Sequence, residues 1–404
     1  MFDNEFPPLG GGTGVVNHHL LQELAKRPDI AVDLVTSSRS RCAYEREPFS
    51  DRIVLHRVPV DNRNIHHSTN RELIRYSARG IRLAYGLAKE HRYDLSFAFA
   101  GVPAGALSYA LNLTHRLPYV LSLQGPDVPG FEERYQRLYP VLTPLIRRIW
   151  RRAGAVTAIS AEQAVLARRT MPELSLTTIP NGVDTEAFFP VEREAGREVN
   201  MVCAARLIER KGQHHLLEAL ARLRRSCRSP VRVTLVGTGD AETSLRDLAG
   251  RLRIADAVTF TGYVPREGMP DMYRAADVFV LPSQQEGMSI ALLEAMASGL
   301  PVVVTQTGGT DELVTKGGNG DIVPWGDVEA LSRALRMLAE DDRMRIRFGA
   351  ESRRRAIRFG WPALAARYLD LCATVMERAM AQKGRCRASA VGTASHDPSK
   401  ECSA

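Results

Sequence analysis

The sequence predicts an α/β protein built from two doubly wound domains, and three observations carry this prediction. Apolar, β-branched runs alternate with helical patterns over most of the 404 residues, which is typical of parallel sheets covered by helices. The alternation comes in two series, separated by the segment TIPNGVDTEAFFP at 178–190. A chain of this length also exceeds one ordinary domain and can bury two separate cores.

The first series contains five candidate strands: IAVDLVTSS, RIVLHRV, DLSFAFA, YVLSLQG and AVTAIS. A helical stretch at 71–89 lies among them. Such a domain normally opens with a buried strand before its first glycine turn. Here the turn PPLGGGTG begins at residue 7, so we expect the first strand to be missing. An empty central slot would deprive its neighbours of ladder partners, which favours a gene model that begins late over a domain that lacks the strand.

The second series contains VNMVCAARL, VRVTLVGTG, AVTFTGYV, DVFVLPS and PVVVTQTGG. We therefore place an N-terminal domain at 1–185 and a C-terminal domain at 186–358. The pattern GWPALAARYLDLCATVMERAM predicts an amphipathic helix at about 361–378, and the small polar residues of 380–404 predict a disordered tail. A ligand would lie in the cleft between the domains, at the carboxyl ends of the strands.

The composition excludes several classes of protein. With 44% hydrophobic and 25% charged residues the chain is typical of globular proteins, and its apolar runs fall short of the roughly 20 residues that span a bilayer. The start MFDNEFPPLGGG does not resemble a secretory signal. Six scattered cysteines without CxxC spacing predict reduced thiols, a cytoplasmic protein and no metal site. The net charge of +8 indicates anionic partners, but no motif indicates nucleic acid.

Glycine turns that lead from a strand into a helix are candidate phosphate sites. In GGGTG, Gly11 and Gly12 precede a helical pattern, and free amides at a helix N-terminus attract anions. An ordinary turn explains a lone glycine cluster equally well, and the spacing is not the GxGxxG of a nicotinamide site. LVGTGD repeats the arrangement around Gly237, and FTGYV could present the backbone of Tyr263 and Val264 to a nucleobase.

Two cations follow the first strand of the second series. In AARLIERKGQHH, Arg206 ends the strand and Lys211 lies five residues later, just before a helix. Taken singly, such residues are ordinary surface charges. At the carboxyl end of a strand, facing the cleft, the pair could neutralise a diphosphate.

The stretch PSQQEGMSIALLEAMASGLPVVVT places two carboxylates eight residues apart. Ser289 or Gly287 can cap the following helix, so Glu286 precedes the helix and Glu294 lies in its second turn. Carboxylates repel phosphate and suit neutral hydroxyls, and eight helical residues span about 12 Å. The two groups could therefore bracket a diphosphate, with a sugar on one flank and a ribose on the other. The competing interpretation is that Glu294 turns to solvent or pairs with an arginine.

With these residues assembled, the chain resembles the retaining nucleotide-sugar glycosyltransferases of glycosyltransferase family 4. Their GT-B fold has two Rossmann-like domains that face a cleft. The resemblance covers nearly the whole chain and is strongest from NGVD at 181–184 onward. It rests on RLIERKG, VGTGD, FTGYV, the E-x7-E motif EGMSIALLE, GLPVVVTQTGGTDELV and GNGDIV in that order.

The resemblance implies a role for each motif. Glu294 would hold the ribose and Glu286 the hydroxyls of the transferred sugar, while Arg206 and Lys211 would bind the diphosphate and stabilise it as it leaves. Further donor contacts would come from Gly11, Gly12, Gly237, Tyr263, Val264, Gly287, Met288 and Ser289. The reaction would retain the anomeric configuration, a leaving phosphate oxygen would take the acceptor proton, and no metal or other cofactor would be needed.

The first domain departs from the family pattern. Gln124 in SLQGPDVPGF stands where the family has a histidine, and an amide cannot carry a proton. Asp127 could contact the acceptor, or it could be a turn residue before Pro129. These two residues are the acceptor-side candidates.

The implied partners are a nucleoside-diphosphate sugar and a glycan or lipid-linked acceptor. Arg71, Arg75, Arg79 and Arg82 fall on one helical face. We expect this face either to be solvated or to contact anionic lipids at the inner side of the membrane. Two other functions stay open: a sugar-nucleotide epimerase or phosphorylase-like enzyme of the same architecture, and a catalytically impaired donor-binding protein.

Overall fold

The computed structural model describes residues 1–62, 64, 68–191 and 198–392 and contains two α/β lobes that face each other. The first lobe has three strands in the order β1-β3-β2 and four in the order β4-β5-β6-β7, and only β2 and β3 pair antiparallel. Its strands are β1 (Val32–Ser38), β2 (Glu45–Ser50), β3 (Ile53–Pro59), β4 (Ser96–Phe99), β5 (Tyr119–Ser122), β6 (Ala155–Ala158) and β7 (Thr177–Thr178). Its helices are α1 (Gly12–Ala25), α2 (Asn70–Glu90), α3 (Ala104–His115), α4 (Tyr139–Arg152) and α5 (Ala161–Thr170).

Phe2 occupies the central slot of the first sheet. Residues 1–31 contain no regular strand, yet Phe2 forms parallel bridges with Val35 of β1 and Ala98 of β4. Its amide donates to the carbonyl of Phe97, and the amide of Phe99 donates to the carbonyl of Phe2. On the β1 side, the amide of Asp3 donates to the carbonyl of Val35, and the amide of Val35 donates to the carbonyl of Met1. The sequence had led us to expect an empty slot, but residues 1–3 supply hydrogen bonds to both neighbouring strands.

The second lobe is one six-stranded parallel sheet in the order β10-β9-β8-β11-β12-β13. Its strands are β8 (Val199–Ala204), β9 (Val231–Val236), β10 (Val258–Gly262), β11 (Val278–Leu281), β12 (Val302–Thr305) and β13 (Gly320–Val323). Its helices are α6 (Gln213–Ser226), α7 (Glu242–Arg251), α8 (Met269–Arg274), α9 (Ile290–Ala297), α10 (Thr310–Leu313), α11 (Val328–Glu340) and α12 (Asp342–Ala356). The central strands are buried along their length, which explains their continuous apolar sequences.

The last helix, α13 (Trp361–Gly392), packs against the first lobe. The Tyr368 ring meets Phe97 edge-on at 5.6 Å, and Trp361 stacks on His19 of α1 at 5.4 Å. The expectation of disorder from residue 380 is wrong for 380–392, which continue this helix. Alanine, methionine, glutamine and lysine at its start are good helix formers and extend a helix that packing has already nucleated. Residues 393–404 lie outside the described part of the chain.

None of the helices within the described ranges has both the length and the hydrophobicity that crossing a bilayer requires.

Candidate active site

The candidate site lies where the strand order of the second sheet reverses. Strand β8 stands between β9 and β11, so the loops after β8 and β11 diverge and open a crevice at the carboxyl ends. Arg206 and Lys211 follow β8, and Glu286 follows β11. The topology thus brings together three of the residues that the sequence analysis selected.

Lys211 and Glu286 form an ion pair with a distance of 2.5 Å between Nζ and Oε1, and only 14% and 13% of their side chains are exposed. Gly212 makes this approach close: its φ is +68°, and a Cβ there would lie 2.0 Å from the carbonyl oxygen of Pro282. Because Pro282 directly follows β11, the absence of a side chain at Gly212 lets the loop after β8 pack closely against the end of β11. The site therefore offers a cation and a carboxylate that a ligand carrying phosphate and hydroxyl groups can take over.

Arg206 is half-buried on the wall of the cleft. Burial lowers the pKa of its guanidinium, and nearby Arg210 lowers it further. Gly237 supports the turn that carries Arg206, since with φ at +133° a Cβ there would lie 2.2 Å from the carbonyl oxygen of Ala205. The need for glycine at position 237 follows from this backbone contact.

Glu294 is buried within α9, whose first turn is capped by Ser289 Oγ accepting from the Leu292 amide at 3.2 Å. Both carboxylate oxygens have partners: Oε1 lies 3.1 Å from Arg266 Nη1, and Oε2 accepts from the Tyr273 hydroxyl at 3.1 Å. Burial raises the pKa of Glu294, and Arg266 opposes that shift. Glu294 therefore does not turn to solvent but pairs with an arginine, as the competing interpretation allowed, and its contact with a ribose stays a prediction.

Arg266 also reaches the opposite lobe. Its Nη2 lies 2.7 Å from His19 Nε2 in α1. Burial, and then the charge of Arg266, lowers the pKa of His19 to about 3, so the imidazole is neutral and Nε2 accepts the hydrogen bond. One guanidinium therefore joins the carboxylate of the second lobe to the first helix of the first lobe.

The glycine turn before α1 already holds an anion from its own chain. The Gly11 amide donates to Glu5 Oε2 at 3.0 Å. Burial raises the pKa of Glu5, while the Gly11 amide and the charge of Arg206 oppose that shift. Gly12 faces α9 across the cleft, where a Cβ would lie 3.4 Å from Ile290 Cδ1. The turn thus lies at the cleft, and the Gly11 amide that the sequence predicted to bind phosphate is bound by the Glu5 carboxylate.

The turn between Glu286 and α9 lies against the first lobe. A Cβ on Gly287 would lie 2.9 Å from Ile159 Cδ1 and 3.7 Å from the Gln124 carbonyl oxygen. The carbonyl of buried Met288 accepts from Asn181 Nδ2 at 3.0 Å. Tyr263 and Val264 follow β10, two strands away from β8 and at the edge of the sheet, and Tyr263 is exposed. The structure therefore does not bring these two residues next to Glu286.

On the first-lobe wall, Gln124 and Asp127 are held by local hydrogen bonds. Gln124 Nε2 donates to Ser122 Oγ at 2.9 Å. Asp127 accepts three backbone amides: Gln124 and Gly125 donate to Oδ1 at 2.9 Å, and Gly101 donates to Oδ2 at 2.7 Å. These bonds fit the interpretation of Asp127 as a turn residue. Both side chains also line a cavity of about 710 Å³ that extends to Arg206.

Sequence reasoning missed the contacts that cross the cleft. Arg266 and His19 are 247 positions apart, and Arg210 pairs with Glu132 at 3.1 Å over 78 positions. Glu5 was missed because an acidic residue before FPP carries no motif of its own. A charged residue directly beside a known motif, such as Arg210 beside Lys211, is the one signal that could have drawn attention to this set.

Over the described ranges, no three histidine, cysteine, aspartate or glutamate side chains gather as metal ligands would.

Both halves of the chain match models of known protein families. Residues 10–187 match the family model described as Glycosyltransferase Family 4, and residues 184–355 match the one described as Glycosyl transferases group 1. The GDP-mannose-dependent alpha-(1-6)-phosphatidylinositol monomannoside mannosyltransferase of Mycolicibacterium smegmatis is 34% identical over 303 residues, which cover 70% of this chain and 78% of that protein.

Two solved structures share the fold. Sucrose-phosphate synthase from Thermosynechococcus elongatus is similar with a TM-score of 0.79 at 22% identity, covering 91% of this chain and 94% of that one. Anabaena HepE in complex with UDP is similar with a TM-score of 0.71 at 20% identity, covering 92% and 98%.

Proposed function

The chain belongs to glycosyltransferase family 4 and has the GT-B fold, and we propose that it transfers a sugar from a nucleoside-diphosphate sugar to an acceptor hydroxyl with retention of anomeric configuration. The observation that carries this proposal is the meeting of Arg206, Lys211 and Glu286 at the point where the strand order reverses. Two cations and a carboxylate there match a substrate whose centre is a diphosphate and whose end is rich in hydroxyls.

In the proposed complex, Arg206 and Lys211 bind the diphosphate. Lys211 then exchanges its contact with Glu286 for phosphate oxygens, and Glu286 accepts from hydroxyls of the transferred sugar. The amides of Gly287, Met288 and Ser289 lie beside that sugar, ahead of α9. Because an anion prefers amides and cations to a second anion, Glu5 must leave the Gly11 amide when a phosphate approaches the glycine turn.

At the other end of the donor, Glu294 holds the ribose hydroxyls. Since both of its oxygens are engaged, by Arg266 and by Tyr273, the ribose must displace one of these partners or share an oxygen with it. The nucleobase would lie toward β10, where Tyr263 and Val264 supply backbone groups.

The chemistry follows from positioning and charge. As the bond between the anomeric carbon and the phosphate oxygen breaks, negative charge grows on the diphosphate, and Arg206 and Lys211 stabilise it. The acceptor oxygen bonds to the anomeric carbon on the same face, and its proton passes to the departing phosphate oxygen. Gln124 orients a hydroxyl by hydrogen bonding, since an amide cannot take the proton. We propose that these two cations supply the charge that a metal supplies elsewhere.

The test measures release of nucleoside diphosphate with and without an acceptor. GDP-mannose is the first donor, because the Mycolicibacterium smegmatis relative is named for it. UDP-glucose is the second, because the Anabaena structure holds UDP. Both are screened by thermal shift before turnover is measured. Transfer in the presence of EDTA, with the product's anomeric configuration read by NMR, supports the proposal. An inverted product would contradict retention, and loss of transfer in EDTA would contradict metal independence.

A catalytically impaired donor-binding protein is the second candidate, and Gln124 in place of a histidine favours it. Such a protein would be stabilised by the donor but would release no nucleoside diphosphate with any acceptor. An epimerase would change the sugar without releasing the diphosphate, so the same measurement separates it from a transferase.

A further inference from the structure

We propose that the acceptor is amphipathic, with a polar headgroup at the cleft and one apolar chain that enters the first lobe between α2 and α4. This inference rests on the proposed function and names the substrate class of the same site. It starts from the cavity of about 710 Å³ beside Gln124, whose size is ordinary for a small-molecule pocket. The two ends of this cavity differ sharply in chemistry.

The end at the cleft is polar. Glu5, Gln124 and Arg206 line it, and Glu132 and Arg210 close it with the ion pair that joins the lobes. A hydroxyl that is to receive a sugar must lie here, because Arg206 is where the leaving diphosphate is proposed to bind. The headgroup of the acceptor therefore belongs at this end.

The other end is apolar and lies in the first lobe alone. Most of its lining is apolar and comes from α2, from the turn before α3 and from α4: Leu73, Ile74, Val102, Pro103, Leu142 and Ile146. The polar side chains that α2 adds to the cavity lining are Asn70 and Ser77. Sugars offer hydroxyls at every position and would leave them without partners against such a wall. A hydrocarbon chain gains free energy from each buried CH₂ group instead.

Hydrogen bonds fix the segments that form the walls of this end. The start of α2 is fixed by a capping box between Thr69 and Glu72. Arg134 ties the loop before α4 to that start by donating to the Ser68 carbonyl at 3.0 Å. Tyr139 in the first turn of α4 donates to the Pro126 carbonyl at 2.9 Å.

The apolar end opens to solvent at α2, where 68% of Ile74 is exposed. A large aliphatic side chain that forms both the wall of a cavity and its rim suits a ligand that continues past the protein surface. The same helix carries exposed arginines, Arg71 and Arg75 among them, and Arg75 also lies 3.5 Å from Asp61. This positive charge complements an anionic lipid surface from which the chain would extend. Continuity with the polar end and this charge favour a lipid over a soluble glycan.

The experiment uses n-alkyl α-D-mannosides from methyl to octyl as acceptors of the full-length protein, below their aggregation concentrations. Each CH₂ that enters the cavity should lower KM by about fourfold, until the cavity is filled. Calorimetric binding of octyl and methyl mannoside without donor provides a reading that does not depend on turnover. A citronellyl mannoside compares a branched isoprenoid chain with the linear chain, and preference for either one supports the proposal.

Two variants test where the apolar chain of the acceptor binds. Ile74→Gln should raise KM for the octyl acceptor by about tenfold and leave the methyl acceptor unchanged. Leu142→Trp, which fills the apolar end, should abolish the advantage of octyl over methyl. The matched control is Val141→Gln, because Val141 is 77% exposed on α4 and does not line the cavity; it should change neither value.

Equal KM and equal binding for methyl and octyl acceptors, or an equal effect of Ile74→Gln on both, would overturn the inference. Donor turnover that persists in that case would leave the proposed transfer standing. A protein that binds the octyl mannoside more tightly than the methyl mannoside but releases no diphosphate from any donor would contradict the proposed transfer and leave the apolar binding site standing.

Discussion

The two walls of the cleft hold their polar groups in different ways. On the second-lobe wall, the two carboxylates of the E-x7-E motif each have a cation as partner: Glu286 has Lys211, and Glu294 has Arg266. On the first-lobe wall, Asp127 is tied to three backbone amides, and the cavity behind it is largely apolar. Paired charges can be handed over to a charged ligand, whereas a carboxylate bound to backbone amides cannot be released without loss of the turn. The second wall is thus suited to recognition by charge and the first to recognition by shape.

The largest effect should follow from breaking the charge pairs of the second wall. Lys211→Ala and Glu294→Ala should each lower kcat/KM for the donor by tenfold or more, about 1.4 kcal/mol or above. Lys211→Ala also leaves Glu286 without its partner near the diphosphate. Lys26→Ala is the control, since its Nζ pairs with Glu23 on the outside of α1. Wild-type donor use in both variants would refute the assignment of this wall to the donor.

The next effect should appear on the first wall, and in stability instead of catalysis. Asp127→Asn places an amide group where one of the three backbone N–H donors points, which should cost about 1–3 kcal/mol of unfolding free energy. The measurement is chemical denaturation together with acceptor KM, with the exposed Asp29→Asn as control. Unchanged stability with a raised acceptor KM would show that Asp127 contacts the acceptor and is not a turn residue.

A smaller effect should mark the contact between the walls. The pKa of His19 falls from 6.5 to about 3 on folding, so its contribution to stability is complete above pH 6.5 and is lost as the pH falls toward 3. Between pH 6.5 and 5, each pH unit should cost up to about 1.4 kcal/mol. His19→Gln should flatten this slope and the exposed His115→Gln should not. An unchanged slope in His19→Gln would show that other groups cause the acid sensitivity.

The smallest effect should come from Glu5, a carboxylate of the first wall that lies near Arg206. Glu5→Gln removes a negative charge from the Gly11 amide and from the surroundings of Arg206. Nucleoside diphosphate should then bind about two- to fivefold more tightly in calorimetry, with Glu133→Gln as control. Weaker binding in Glu5→Gln would make this carboxylate a ligand of the substrate and not a competitor of its phosphates.

The same contrast explains what the sequence could predict. The cap at Ser289, the helix after it and the cations after β8 are local features, and the structure places them as the motifs indicated. Strand β2 (Glu45–Ser50) was missed because its exposed, charged residues show no apolar alternation, and its partner β3 holds it in place. No pattern could reveal the guanidinium of Arg266 between Glu294 and His19, because that contact exists only when two lobes meet.

The position of Arg266 links events at opposite sides of the cleft. If a ribose takes over Glu294, the guanidinium loses the partner that orients it toward His19. Nucleotide binding and the contact between the lobes are then coupled, and the factor by which nucleotide weakens that contact equals the factor by which the contact weakens nucleotide binding. Departure of the spent nucleotide would then restore the bridge. In the protein without nucleotide, the carboxylate that the ribose needs, Glu294, would thus help to hold the two lobes together through Arg266.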